Sequence, residues 1–430
     1  MDDKTTPRIL SRPEHSLSRQ AIDPDVLKIL YRLQRSGFRA YLVGGCVRDL
    51  LLGKTPKDFD LATDAHPQQI RDLFRNCRLI GRRFRLAHIY FKGGKFIEVS
   101  TFRRRSEFDE ESSEFRFPSD NTFGTAAEDA FRRDLTINGL FYNIADFSIL
   151  DYVDGLEDLH RGIIRCIGDP DEKYVQDPVR MIRVIRHATR TGFRIEEKTY
   201  QSLILHVEKI RLCSPARVRD EFLRELKEGS ARASLGLMLE TGMLCALFPF
   251  YQEPLREETN RGYLLQIASA LDALQASGNP LPDELCLPLF LLPASGYYCP
   301  PGEFPANRRG QAYYQQKVRK WVMEVLTPWQ FTAHSKERAV HLLGTQKILR
   351  EFLPLQKIPL QLARKPHFAQ AIRLFEIGAN ARGEAIPGFI WQVEESKPWR
   401  EKRKRRRRRR RKEPPKRGPE PGAISQESLS

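Results

Sequence analysis

The stretch YLVGGCVRDLLLGKTPKDFDLATDA, residues 41–65, places a glycine turn and an Asp-x-Asp pair within one short segment. The apolar run Tyr41-Leu42-Val43 reads as a buried strand. Gly44-Gly45 breaks it, and the missing side chains there let backbone amides approach an anion closely. Arg48 adds a fixed positive charge beside the turn. Residues 47–52 have helical spacing, which sets the glycine pair at a helix N-terminus, where unpaired amides and the dipole favour phosphate. Gly53 stops that helix. After a polar turn, Asp58-Phe59-Asp60-Leu61-Ala62-Thr63 alternates like a strand, so Asp58 and Asp60 share one face and Phe59 enters the core. Two carboxylates on one face suit a pair of Mg²⁺ ions about 4 Å apart. A lone Gly-Gly is usually a tight turn, and a lone Asp-x-Asp is usually a solvated strand end. Together, this close and in this order, they point to nucleotidyl transfer.

At 430 residues the chain has room for two to four domains, and its 40% hydrophobic content is ordinary for a water-soluble protein. No stretch approaches the eighteen or so apolar residues of a membrane span, and the first twenty residues carry no apolar signal core. A cytoplasmic location and no membrane partner are expected. The seven cysteines are scattered, without a Cys-x-x-Cys, and read as buried free thiols. Charge is uneven. Residues 400–417 hold fourteen Lys or Arg against two Glu, a net +12 out of the chain's +17. A run such as KRKRRRRRRRK, residues 402–412, repels itself and cannot enter a core, so a disordered arm is expected. Such an arm attracts RNA through counterion release; a nuclear-localisation signal or a solubilising tail are the alternatives.

The pattern predicts an α+β chain: a head with a mixed β-sheet and helices, an all-α neck and body, and a disordered basic C-terminal tail. The expected divisions are a loose leader at 1–22, the head at 23–167, the neck at 168–228, the body at 229–395 and the tail at 396–430. In the head, residues 23–37 and 68–74 have helical spacing, and residues 86–92 and 96–102 read as strands around the Gly93-Gly94 hairpin turn. Residues 103–121 read as a mobile acidic insertion. Residues 129–142 are expected to be helical, with short strands at 149–153 and 163–167. Beyond residue 169, seven segments show helical apolar spacing, often with Pro near the start and Gly past the end.

Three further places carry chemistry. Glu98, in FIEVSTF, alternates away from its apolar neighbours and is a candidate to complete a metal site, although such a residue more often faces solvent. Arg132-Arg133-Asp134-Leu135-Thr136-Ile137-Asn138 sets an acid behind two arginines. In Gln176-Asp177-Pro178-Val179-Arg180, Pro178 starts a helix, and Asp177 and Arg180 project to a common side, an acceptor and a donor for the Watson–Crick edge of a base.

These blocks resemble the class II branch of the nucleotidyltransferase superfamily, whose members are the tRNA CCA-adding enzymes and the bacterial poly(A) polymerases. The matching patterns are Gly-Gly-x-Val-Arg-Asp, Leu-Leu-Gly and Asp-x-Asp, then Arg-Arg-Asp-x-Thr-x-Asn, and then Glu-Asp-x-x-Arg, where this chain has Gln176 in place of Glu. The motif at 151–159 resembles the family's link between head and neck. The resemblance covers about residues 23–385, and the stretch 75–89 is closest to the poly(A) branch. It implies a template-independent polymerase that adds AMP from ATP to RNA 3′ ends by a two-Mg²⁺ mechanism, acting in mRNA polyadenylation and RNA turnover, with RNA-decay proteins as possible partners. It implies Asp58, Asp60 and Asp134 as catalytic acids, the first two as metal ligands. Gly44, Gly45, Arg48, Arg133, Asn138, Asp177 and Arg180 would bind the nucleotide. Arg82, Arg83, Arg405, Arg406, Arg407 and Arg408 are the candidate RNA contacts. A tRNA nucleotidyltransferase adding all or part of CCA and a noncatalytic RNA-binding protein are the alternatives.

Overall fold

An eight-stranded mixed sheet organises the head: β1 (Arg8–Leu10), β2 (Ala40–Val43), β3 (Asp60–Thr63), β4 (Cys77–Ile80), β5 (Leu86–Tyr90), β6 (Phe96–Thr101), β7 (Leu140–Asn143) and β8 (Ile149–Asp151). The spatial order is β1-β8-β7-β2-β3-β6-β5-β4. Every neighbouring pair is antiparallel except β3 and β6. The structure is a computed structural model that describes residues 6–81, 85–104, 123–352, 357–384 and 392–394. Arg82, Arg83, most of the acidic insertion and the basic tail with Arg405 to Arg408 lie outside the described residues.

β2 is central and buried along its whole length, as its unbroken apolar run requires. One sheet face carries the larger head core, built with α1 (Pro24–Arg35), α2 (Gly45–Leu51) and α3 (Pro67–Leu73). α1 shows why it is a helix. The Asp23 side chain caps it by accepting from the Asp25 amide at 2.9 Å, Pro24 occupies the first turn, and Val26, Ile29, Leu30 and Leu33 bury one stripe. The other face holds a smaller cluster, Tyr41, Val43, Ala62, Phe102, Phe141 and Leu150, under α4 (Ala126–Arg132). That cover stops short of the outer strands, where Phe96 is 50% exposed.

α5 (Gly155–Arg161) closes the head. The short parallel pair β9 (Ile163–Ile164) and β10 (Arg194–Ile195) ties it to the neck. The neck comprises α6 (Pro170–Gln176), α7 (Val179–Thr191), α8 (Glu197–His206) and α9 (Pro215–Glu225). The body adds α10 (Ala231–Glu240), α11 (Met243–Leu247), α12 (Glu258–Ala276), α13 (Asp283–Tyr298), α14 (Arg308–Leu326), α15 (Ala333–Phe352), α16 (Leu360–Ala363) and α17 (Phe368–Ala381). One core runs through both, from Ile182 and Phe222 to Phe290 and Phe375, so the expected division at 228 does not separate two cores.

Several expectations change. Residues 8–10 are an edge strand on β8, and Leu17 and Ile22 are buried, so the described part of the leader belongs to the head. The helix expected over 129–142 ends at Arg132: Arg133 is extended, a 3-10 turn follows at Thr136–Asn138, and Leu140–Asn143 is a strand beside β2. Asp58 precedes β3, which begins at Asp60. β4 and α13 carried no recognised signal. α13 contains Pro288 and Pro293 and is apolar on nearly every side, so neither periodicity nor proline placement marks it as a helix. β10, together with β11 (Lys357–Pro359) paired in parallel with β12 (Gln392–Glu394), interrupts the all-α half. All seven cysteines are free, as expected, but Cys77, Cys213 and Cys245 are only half-buried rather than buried.

Candidate active site

The strand-to-helix turn forms at Gly44 because only glycine adopts its backbone angles comfortably, φ 79° and ψ −142°. A Cβ there would stand 3.2 Å from Arg133 Nη1 and 3.9 Å from Asp60 Oδ2. The turn therefore brings a guanidinium and a carboxylate together at its surface. Arg133 is held in place by its hydrogen bonds to Asp129 Oδ2 at 2.8 and 3.2 Å and lies 5.2 Å over the Phe141 ring. Cys46, just inside the turn, donates to Val43 O at 3.0 Å; burial pushes its thiol up to about 12, so it is an inert filler.

Asp60 pairs in register with Val43 on one side and with Glu98 on the other. Residues in register share a face, so the Glu98 carboxylate stands one strand away from that of Asp60. Part of Asp60 meets solvent. Even so, its carboxyl is pushed up to about 6, chiefly by desolvation, then by Glu98 and less by Asp58, with Arg133 opposing. Phe59 packs against the larger head core, which turns the two aspartates outward around it. Like charges crowded this way meet the electrostatic condition for a divalent cation. Mg²⁺ needs only one or two protein carboxylates, with water and phosphate completing its shell, and the residues fit it. Among the described residues no three His, Cys, Asp or Glu side chains converge as a ready ligand group.

Asp134 behaves differently from the expectation of a third acid at the metal. Its Oδ1 lies 2.6 Å from Arg180 Nη1, and its Oδ2 accepts from Arg183 Nη1 at 2.7 Å. Burial opposes its ionisation, but Arg180 and Arg183 outweigh that and hold its carboxyl below the usual range. Asp134 therefore acts through its neighbours: it fixes Arg180, the arginine that the sequence pairs with Asp177. Asp177 is where the sequence predicts, with its Oδ2 3.8 Å from Arg180 Nε across the α6–α7 junction. Arg217 of α9 grips Asp177 with two parallel bonds of 2.9 and 2.7 Å. Arg180 Nε is buried without a hydrogen-bond partner, a donor placed beside the carboxylate.

Arg48 also departs from expectation. It is 1% exposed and wholly engaged: Nε and Nη2 bond Asp49 Oδ1 at 2.9 and 2.7 Å, and Nη1 bonds Asn138 Oδ1 at 2.7 Å and His187 Nδ1 at 3.1 Å. Because Arg48 can only donate, His187 Nδ1 accepts. Burial, then Arg48, Arg186 and Arg190, hold His187 well below its ordinary range, so it is neutral. Arg48 and Asn138 are thus braces between head and neck. The Arg48 guanidinium lies 3.4 Å from a Cβ placed on Gly45, supporting the glycine turn from inside.

Sequence reasoning missed Arg183, Arg186, His187 and Arg190. They recur at three- and four-residue steps along α7 from Arg180. That periodicity is itself a readable stripe, and it meets Asp134 and Asp49 of the head and Glu221, Glu225 and Glu228 of the neck.

Residues 40–165 match the family model described as "Poly A polymerase head domain", and residues 192–254 match "Probable RNA and SrmB- binding site of polymerase A". Poly(A) polymerase I of Salmonella typhi is 42% identical over 316 residues, covering 71% of this chain and 67% of that one. A CCA-adding enzyme of Leuconostoc mesenteroides is 38% identical over 216 residues, 50% of this chain and 52% of its own. In fold, the chain resembles the Thermotoga maritima CCA-adding enzyme complexed with tRNA, with a TM-score of 0.60 and 22% identity over 87% of this chain and 83% of that one. The chain belongs to the poly(A) polymerase family.

Proposed function

We infer that the chain is a template-independent polynucleotide adenylyltransferase that transfers AMP from ATP to RNA 3′ ends. The 3′-oxygen forms a bond to the α-phosphorus, the bond from that phosphorus to the β-phosphate oxygen breaks, pyrophosphate leaves, and the hydroxyl proton passes to solvent. The observation that carries this reading is the register of Asp60 with Glu98 beside the Gly44 turn and Arg133. Asp58 and Asp60, with Glu98, would hold two Mg²⁺ ions, which when bound activate the hydroxyl and neutralise the leaving group. Arg133 offsets triphosphate charge at the turn, and the unpaired amides of the first turn of α2 offer further donors.

Arg180 and Asp177 read the base. Asp134 fixes the first and Arg217 the second. Adenine offers its N6 amino donor to the carboxylate and its N1 acceptor to the guanidinium. Cytosine presents the same donor–acceptor order through N4 and N3, so this pair excludes guanine and uracil without separating ATP from CTP. That equivalence, with the match to a CCA-adding enzyme, supports CCA addition as the second reading. The basic tail supports general RNA attraction. The setting we propose is mRNA polyadenylation and RNA turnover in the cytoplasm, alongside RNA-decay proteins; among the described residues no helix is long and apolar enough to cross a membrane.

Incubating the protein with Mg²⁺ and labelled ATP or CTP on generic RNA and on tRNA lacking its end tests the reading. Long tails from ATP on either RNA support it. CTP incorporation confined to tRNA supports CCA addition, and no incorporation overturns both.

A further inference from the structure

The outer half of the sheet carries an ordered row whose outer members, beyond Asp60 and Glu98, none of the steps above uses. Register places Asp60 opposite Glu98, Glu98 opposite His88, and His88 opposite Arg78, so one line of side chains crosses β3, β6, β5 and β4 on a single face. The opposite face of these strands is core: Ala87, Ile89, Ile97 and Val99 are buried. The row's own face is partly open: Arg78 and Phe96 are exposed, while His88, Tyr90 and Glu98 are half-buried. Phe96 is 50% exposed and stacks on His88 with ring centroids 4.5 Å apart and planes 9° from parallel. Tyr90 lies directly across from Phe96, with its ring centroid at 5.9 Å, and the Arg78 guanidinium sits 5.4 Å over the Tyr90 ring. A singly exposed aromatic is ordinary on a protein surface, but here the parallel Phe96–His88 stack, the Tyr90 ring tilted 44° from Phe96 and an arginine gather on one row of the sheet as an aromatic patch.

We propose that this face of β4, β5 and β6 is the stacking platform for the last nucleotides of the acceptor RNA, leading its 3′ end along the row to Asp60. The proposal rests on the adenylyl-transfer reading. The occupant follows from three features. The row ends at the carboxylates assigned to the transfer step, so whatever lies on it delivers a group there. Aromatic faces accept any unpaired base, which suits an enzyme without a template. The exposed Arg78 at the far end supplies a cation for backbone phosphate, while Glu98 and Asp60 keep the carboxylates at the opposite end. Three interstrand steps of about 4.8 Å give a path of roughly 14 Å, room for a few nucleotides.

The test uses the full chain and 5′-labelled oligo(A). Phe96→Ala removes a half-exposed ring that belongs to no buried core cluster. Its affinity for oligo(A), read by fluorescence anisotropy without ATP, should fall at least fivefold. Its KM for the primer should rise in parallel, while KM for ATP and kcat stay within twofold; Phe96→Trp should restore both primer values. An abasic site among the last three nucleotides should weaken binding to the wild-type chain and not weaken binding to Phe96→Ala any further. Unchanged oligo(A) affinity in Phe96→Ala, or an equal abasic penalty in both proteins, overturns the platform. Because anisotropy needs no turnover, a wild-type chain that binds oligo(A) through Phe96 yet adds no AMP would refute the transfer reading and leave the platform standing.

Discussion

Replacing Asp134 by Asn distinguishes a clamp from a metal ligand. The carboxylate takes a short contact from Arg180 at 2.6 Å and another from Arg183 at 2.7 Å, with its side chain 20% exposed. Asn keeps one acceptor and loses the charge. Hydrogen bonds to charged groups contribute about 1.5–3 kcal/mol each; Arg183 retains Glu221 at 3.0 Å while Arg180 loses its short partner. Partial solvent contact trims the effect, which leaves a loss of about 3 kcal/mol, or roughly 6–12 °C in Tm for a unit of this size. The sign of the pH dependence follows from the depressed carboxyl. Its stabilisation is present above the unfolded value near 3.9 and is lost as pH falls through the lower folded value. The deficit of Asp134→Asn should therefore be full at pH 7 and shrink below about pH 4. Urea titration at pH 7 and at pH 3.5 reads it, and initial rates with each nucleotide should show weakened base selection with an unaltered Mg²⁺ requirement. An Asp134→Asn variant as stable as wild type at pH 7, or one with a sharply raised Mg²⁺ requirement, would refute the clamp.

Three other outcomes follow. Gly44→Ala forces a Cβ into a glycine-only conformation 3.2 Å from Arg133; we expect a cost of about 1–3 kcal/mol in thermal melts and at least a tenfold drop in incorporation. Arg217→Ala frees a half-exposed partner of Asp177, so stability should fall by less than about 1 kcal/mol while KM for ATP rises with kcat preserved. Truncation after residue 398 removes the arginine run; filter binding should show weaker RNA affinity with a shallower salt slope, and primer extension should persist.

What the sequence disclosed was local. The Gly44 turn, the outward aspartates and the Asp177–Arg180 junction each depend on residues a few positions apart, so spacing alone specifies them. The roles of Asp134 and Arg48 depend on partners 46 to 139 residues away. An acid behind two arginines looks the same whether it faces a metal or a neck helix. Glu98 was visible as an alternating residue, but its neighbour across the parallel β3–β6 pair is a matter of register, which no short window contains. The strand Leu140–Asn143 was hidden by the apolar spacing that continues from α4, and tertiary pairing with β2 decided it.

The most direct measurement of the central claim is Mg²⁺-dependent AMP addition from labelled ATP to oligo(A) by wild type and by the separate variants Asp58→Asn and Asp60→Asn, with RNA affinity measured on the same samples. Wild type should extend the primer, and each variant should lose incorporation by at least a thousandfold while binding RNA within twofold of wild type. Incorporation retained in either variant at matched RNA affinity would contradict the assignment of nucleotidyl transfer to Asp58 and Asp60.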